Sequence, residues 1–201
     1  MVFQRSLANV ANIPITGTFQ QAIDVVQARV VPMQGGTQTN WQTIQNNPQG
    51  GFYSGSIVAS GGWYQVEVRG LLGGNVVIST DVQRIGVGEV FAIAGQSNGQ
   101  GYYNYGSQPA FDDRVSCVNY SNSTIQTDLS KPNFIHVDAN SPISPRGASS
   151  WFYGKLGDLI ASRYNVPVLF YNAGWEGTSV NGWSRSANGQ TVSNPDRKSV
   201  V

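Results

Sequence analysis

The sequence predicts a small antiparallel β-domain followed by an α/β domain, and three observations lead there. Up to about residue 84, short segments alternate apolar and polar residues with period two, separated by Gly- and Asn-rich turns, with no helical periodicity. At Glu89–Gly95 the pattern changes to a nearly continuous apolar run, which suits a strand covered on both faces in a parallel sheet. Between Arg114 and Asn172 the order strand, helix, strand is the grammar of a βαβ unit. The boundary therefore falls near residue 88, giving an N-terminal domain over 1–88 and an α/β domain over 89–201.

In chain order, Val10–Thr18 carries Val10, Ile13 and Ile15, and Val25–Val31 is β-branched and ends at Pro32; both read as strands. Met33–Gly51 is rich in Gln, Asn, Gly and Thr and reads as a long loop or hairpin anchored by Trp41 and Ile44. In Phe52–Ala59 one face holds Phe52, Ser54, Ser56 and Val58, and the other Tyr53, Gly55, Ile57 and Ala59. In Trp63–Val68, Tyr64, Val66 and Val68 alternate with Trp63, Gln65 and Glu67. Leu71–Gly74 turns the chain into a further strand, Asn75–Arg84. Five or six short strands with such turns make a β-sandwich.

In the second part, Arg114–Tyr120 reads as a strand, with Cys117 as a buried residue within it. Ser149–Tyr164 reads as a helix with Phe152, Leu156, Leu159, Ile160 and Arg163 on one stripe, Ser149 or Ser150 as N-cap, and Asn165 at its stop. Val166–Tyr171 is the next apolar strand. Ser184–Val201 is polar and weakly patterned. About three strands are too few for a complete α/β sheet, so the chain is expected to stop partway through its second domain.

Charged residues make up only 11% of the 201, with a net charge of +1. So little positive charge argues against nucleic acid and against an electrostatic membrane anchor as partners. No apolar run reaches the roughly 18 residues of a membrane-spanning helix. One Cys and one His, Cys117 and His136, cannot make an intramolecular disulfide or a Cys/His zinc site, and no cofactor is expected. Many neutral polar residues with Trp and Tyr are common in secreted carbohydrate-active proteins, which suggests an extracellular or periplasmic setting. Met1–Ser6 nevertheless lacks the apolar segment of a signal peptide.

The chemically informative stretch is Gly95-Gln96-Ser97-Asn98-Gly99-Gln100-Gly101, directly after the apolar strand. Ligands of open α/β sheets bind beyond the carboxyl ends of the strands, where Ser97 would be exposed as a nucleophile. Backbone N–H groups there can stabilise an oxyanion. From the residues alone, a Gly/Ser/Asn turn that only reverses the chain is the favoured description, because a lone Ser-containing turn is a weak signal.

Val90–Asn98, a hydrophobic strand ending in Gly-Gln-Ser-Asn, resembles the first block of the SGNH hydrolase superfamily, in particular its sialate O-acetylesterase branch and related carbohydrate acetylesterases. Leu169–Trp183 is similar to that branch's strand followed by a Gly-Gly-Thr-Ser and Trp element, and a β-domain ahead of the hydrolase also fits it. The resemblance implies an incomplete three-layer, flavodoxin-like hydrolase domain preceded by the β-sandwich. It implies a serine esterase that removes O-acetyl groups from carbohydrate through an acyl-serine, with no metal or organic cofactor. Ser97 would be the nucleophile, and the N–H groups of Ser97 and Gly177 part of the oxyanion hole. A further donor and the general base would come from later blocks, the base from an Asp-x-x-His.

Two departures stand out. Glu176 occupies a position that is often Gly in the branch, and no Asp-x-x-His occurs in the sequence. His136 precedes the second block, the wrong order for the base, and reads as structural; Asp112, Asp113 and Asp138 read as surface or turn residues. The competing reading is a non-catalytic carbohydrate-binding or structural module, with Trp41, Trp63 and Tyr64 either stacking on a glycan or packing in the core.

Overall fold

The computed structural model describes residues 1–102, 105–119 and 132–190. Tyr120, the end of a sequence-predicted strand, and the tail 191–201 lie outside these. The protein is a mixed α/β chain made mostly of strands. Its contacts divide it into two compact units, one of residues 1–89 with 162–168, the other of residues 90–161 together with the chain from 169 onward.

The first unit contains strands β1 (Val2–Gln4), β2 (Val10–Thr18), β3 (Val25–Gly35), β4 (Gln42–Asn46), β5 (Phe52–Ser60), β6 (Gly62–Leu72) and most of β7 (Asn75–Ile93). β2 and β5 form an antiparallel pair from Val10↔Ser60 to Thr18↔Phe52. The other sheet runs β4-β3-β6-β7, with β1 parallel to β7 at Val2↔Gly86. Alternate residues of both sheets point into one core: Ala11, Ile13 and Ile15; Tyr53, Ile57 and Ala59; Val26, Ala28 and Val30; Tyr64, Val66 and Val68. The period-two patterning of the sequence is this division between core and solvent. β6 enters β7 through Gly73-Gly74, both at positive φ (56° and 83°), the two-residue turn whose twist matches the flanking strands.

Of the loop or hairpin expected over Met33–Gly51, the hairpin forms: β4 pairs antiparallel with β3, Gln42 opposite Ala28. Two sequence expectations change here. The parallel β1–β7 pairing makes the sheet mixed rather than purely antiparallel. The strand expected to end at Arg84 continues to Ile93, because Gly86 and Gly88 do not break it; a Cβ at Gly86 would sit 2.8 Å from Trp63 and from Pro167, so small residues are what let β7 pass. Trp63 and Tyr64 are core residues, 3% and 0% exposed. The Tyr64 hydroxyl donates to Ser60 O (2.8 Å) and accepts from Thr37 N–H (3.1 Å).

The second unit holds the end of β7, α1 (Ser97–Gln100), β8 (Val115–Asn119), β9 (Asn133–His136), most of α2 (Tyr153–Tyr164), most of β10 (Val168–Asn172) and α3 (Val180–Ala187). Its strand order is β7-β10-β8-β9. β7 and β10 run the same way, since Ala173 N–H bonds Ile93 O (2.9 Å) and Trp175 N–H bonds Gly95 O (2.7 Å). β8 and β9 are antiparallel, with Ser116↔His136.

The run Glu89–Gly95 is not the doubly covered central strand its composition suggests. β6 and β1 accompany β7 only as far as Val87 and Gly88, leaving β10 as the strand beside Val90–Ile93 among the described residues. Phe91 is 37% exposed, its ring stacked on the buried Phe170 at 5.6 Å. The doubly covered strand is β10, whose Val168, Leu169 and Phe170 are all buried.

Helix α2 also turns a different face inward. Tyr153, Gly154, Gly157 and Ala161 are buried, whereas Phe152 and Leu159, in the predicted stripe, are 51% and 58% exposed. The reason is distance: a Cβ at Gly157 would collide with Val115 and lie 3.1 Å from Phe170, and one at Gly154 would lie 2.7 Å from Ala110 N. The helix packs through small residues close to the sheet, so its large apolar residues point away. Ser149 and Ser150 do not cap it. They are buried before it, with Ser150 Oγ donating to Gln108 O and Ala139 O and Ser149 Oγ donating to Tyr102 O. Asn165, at φ 53°, ends the helix in the left-handed conformation such stops require.

Candidate functional site

The candidate site is built where β7 and β10 end on the same side of the second unit. After Ile93 the chain leaves β7 and folds Ser97–Gln100 into one helical turn, with Gly101 N–H bonding Ser97 O at 2.9 Å. Ser97 is half-buried. Gly101, at φ 82°, lets the chain leave the turn; a side chain there would press on Trp151 at 2.9 Å.

Asn172, the last residue of β10, is fully buried and ties the two loops together. Its Nδ2 donates to Gly99 O (2.8 Å), inside the Ser97 turn, and its Oδ1 accepts from Gly174 N–H (2.8 Å) in its own loop. Gly99 O accepts a second bond from the Tyr153 hydroxyl (2.7 Å), whose pKa burial pushes up to about 12, keeping it a donor. Gln100 continues the clasp, its Oε1 accepting from Glu176 N–H (2.9 Å) and its Nε2 donating to Arg146 O (3.0 Å). Thr178 Oγ1 donates to Trp175 O (2.7 Å) and accepts from Trp183 Nε1 (2.9 Å). Gly177 lies within this loop at φ 73°, followed by α3, whose N-cap Ser179 accepts from Gly182 N–H (3.1 Å). The loops carrying Ser97 and Gly177 are therefore neighbours. Sequence reasoning did not single out Asn172, Gln100 or Tyr153. The Asn-Ala-Gly ending of β10 was the available signal for the first.

His136 is elsewhere. β9 stands three strand positions from β7, about 14 Å across a sheet. Its Nδ1 meets Asp138 Oδ1 at 3.2 Å and its Nε2 meets Asp112 O at 3.3 Å. Asp112 is held by the buried Arg114, at 2.8 Å between Oδ2 and Nη2, and that hydrogen bond lowers its pKa against the opposing effect of burial. Asp138 is 73% exposed. Cys117 is buried on β8, its thiol pushed up to about 12 chiefly by desolvation. Among the described residues no group of three or more His, Cys, Asp and Glu lies together as metal ligands would.

No protein-family model matches the chain, and no curated protein matches it. Among solved structures it is similar to a carbohydrate acetylesterase from Xanthomonas citri, with a TM-score of 0.51 and 16% sequence identity. The match covers 93% of this chain and 41% of that one, so the chain spans about two fifths of the esterase's length. At this identity the likeness is one of fold: a strand-rich, mixed α/β chain of the kind seen in that carbohydrate esterase.

Proposed function

We propose that the chain is the nucleophile-bearing part of a serine esterase that removes acetyl groups from carbohydrate, of the SGNH type and resembling its sialate O-acetylesterase branch. The reading divides the chain into a β-sandwich over 1–88 and a flavodoxin-like hydrolase domain over 89–201. The observation that carries it is the clasp of Asn172 between Gly99 O and Gly174 N–H, which brings the loop after β10 onto the Gly-Gln-Ser-Asn turn. Two loops that diverge in sequence and meet beyond parallel strand ends are where open α/β sheets hold their ligands. The acetylesterase that shares the fold supports the substrate class.

In this reading Ser97 Oγ bonds to the acetyl carbonyl carbon while its proton passes to a base. The N–H groups of Ser97 and Gly177 stabilise the oxyanion. The sugar alkoxide leaves with the proton, and water then releases acetate and restores Ser97. His136, engaged by Asp112 and Asp138, is assigned no part in proton transfer. No Asp-x-x-His occurs among these 201 residues, so the reading assigns the base to none of them.

The isolated chain is accordingly a slow esterase, its base missing but its nucleophile in place. Hydrolysis of 4-nitrophenyl acetate by the chain and its Ser97→Ala variant, with increasing free imidazole as an external base, tests this. The expected result is an imidazole-stimulated rate above that of Ser97→Ala, with an acetyl group recovered on Ser97 by mass spectrometry. Equal rates for the two proteins at every imidazole concentration would refute the assignment of Ser97.

A further inference from the structure

The outer face of the first unit's large sheet carries a second organised surface, independent of Ser97. Because Val26, Ala28 and Val30 of β3 and Tyr64, Val66 and Val68 of β6 face the core, the residues between them face outward. Antiparallel pairing sets them in two rows across the strands: Arg29↔Glu67↔Asp81, and Gln27↔Arg69↔Ser79. Arg29 Nε bonds Glu67 Oε2 (2.6 Å), and Arg69 bonds Gln27 Oε1 through Nε (2.9 Å) and Nη2 (2.7 Å). Trp41, just before β4, lies against both guanidinium groups, with ring-centre distances of 4.7 Å to Arg29 and 4.1 Å to Arg69.

Between Trp41 and β7 runs an open groove lined by Trp41, Glu67, Arg69, Ser79 and Asp81. Two of its polar groups make no hydrogen bond within the described residues, the indole N–H of Trp41 and the carboxylate of Asp81. Asp81 moreover stands directly across from Glu67, a like-charge pairing that a sheet does not favour. The locked arginines hold Trp41 in place, so its half-buried ring loses little freedom on binding.

We propose that this groove binds a neutral oligosaccharide. A pyranose ring has an apolar C–H face with a rim of hydroxyl groups. The groove answers with apolar indole surface, donors at Trp41 Nε1 and the guanidinium groups, and acceptors at Asp81 and Glu67. Two arginines offset two carboxylates, so the surface has no net charge to select an acidic sugar or a phosphate. The site lies on β3, β6 and β7 rather than at the Ser97 turn, and holds whether or not Ser97 is catalytic.

The test is isothermal titration calorimetry of the 201-residue chain with cellohexaose, xylohexaose and mannohexaose, and with hexagalacturonate as the charged counterpart. At least one neutral hexasaccharide is expected to bind, more tightly than hexagalacturonate. Trp41→Ala and Asp81→Ala should each weaken that binding by about tenfold or more, while Trp41→Phe, which keeps an aromatic ring against the arginines but loses the indole N–H, should bind more weakly than the unchanged chain and more tightly than Trp41→Ala. Circular dichroism of each variant separates lost binding from lost folding. No binding of any neutral hexasaccharide at about 10 mM, preference for hexagalacturonate, or undiminished binding by folded Trp41→Ala would each overturn the proposal.

Discussion

Removing the Asn172 side chain should cost more than its two hydrogen bonds suggest in one respect and less in another. Gly99 O accepts from both Asn172 Nδ2 and Tyr153 Oη, at 2.8 and 2.7 Å, so losing either donor leaves the carbonyl satisfied. Gly174 N–H has the Asn172 Oδ1 as its acceptor in a buried setting, and loses it in Asn172→Ala. An orphaned buried donor costs about 1–3 kcal/mol and a lost but replaceable bond about 1 kcal/mol, so Asn172→Ala should destabilise by about 2–4 kcal/mol. Tyr153→Phe should cost only about 1 kcal/mol. In the double variant Gly99 O has neither donor, so the combined cost should exceed the sum of the two by about 1 kcal/mol or more. Urea unfolding of the four proteins, followed by circular dichroism, measures all three quantities. Strict additivity would show that the two side chains do not share Gly99 O. A cost below about 1 kcal/mol for Asn172→Ala would show that Asn172 does not clasp the two loops, and the site reading would lose its main support.

Gly157→Ala gains about 1 kcal/mol of helix propensity, yet its methyl group meets the rigid Val115 and lies 3.1 Å from Phe170. It should destabilise by about 1–3 kcal/mol net, whereas Leu159→Ser on the exposed face should change thermal stability little; the opposite ranking would restore the stripe predicted from sequence. Glu89 bonds Gln4 and Arg5, which together hold its carboxyl below its ordinary value of 4.5 against a desolvation that raises it. A depressed folded pKa stabilises above the unfolded value and fades as pH falls through the folded one. The stability gap between the protein and Glu89→Gln should therefore be constant from about pH 7 to pH 5 and narrow below about 4.5 in urea titrations. Cys117, buried and with its thiol pushed up to about 12, should not react with Ellman's reagent at pH 8 until the chain is unfolded. Rapid reaction of the native protein would contradict its placement on β8.

What the sequence determined alone was local. The strands Val10–Thr18 and Phe52–Ser60 could be read almost to the residue because one face of each meets the core and the other meets water, and period two records that division directly. Asn165 could be read as a helix stop because the left-handed conformation is a property of that residue and its neighbours. The Gly-Gln-Ser-Asn turn was visible as a candidate because its glycines and its place after an apolar run are sequence facts. The tertiary structure decided what depends on distance between segments. It turned the Gly154, Gly157 and Ala161 face of α2 inward, since closeness of approach outweighs side-chain hydrophobicity when the neighbour is Val115. It placed β10 rather than Val90–Ile93 under cover, because an apolar run records composition and not how many strands lie beside it. It engaged His136 with Asp112 and Asp138, and made Asn172 the link between two loops more than seventy residues apart. Sequence patterns report which residues avoid water; only folding decides which of them meet, because that choice is made by the packing of backbones that the one-dimensional pattern does not contain.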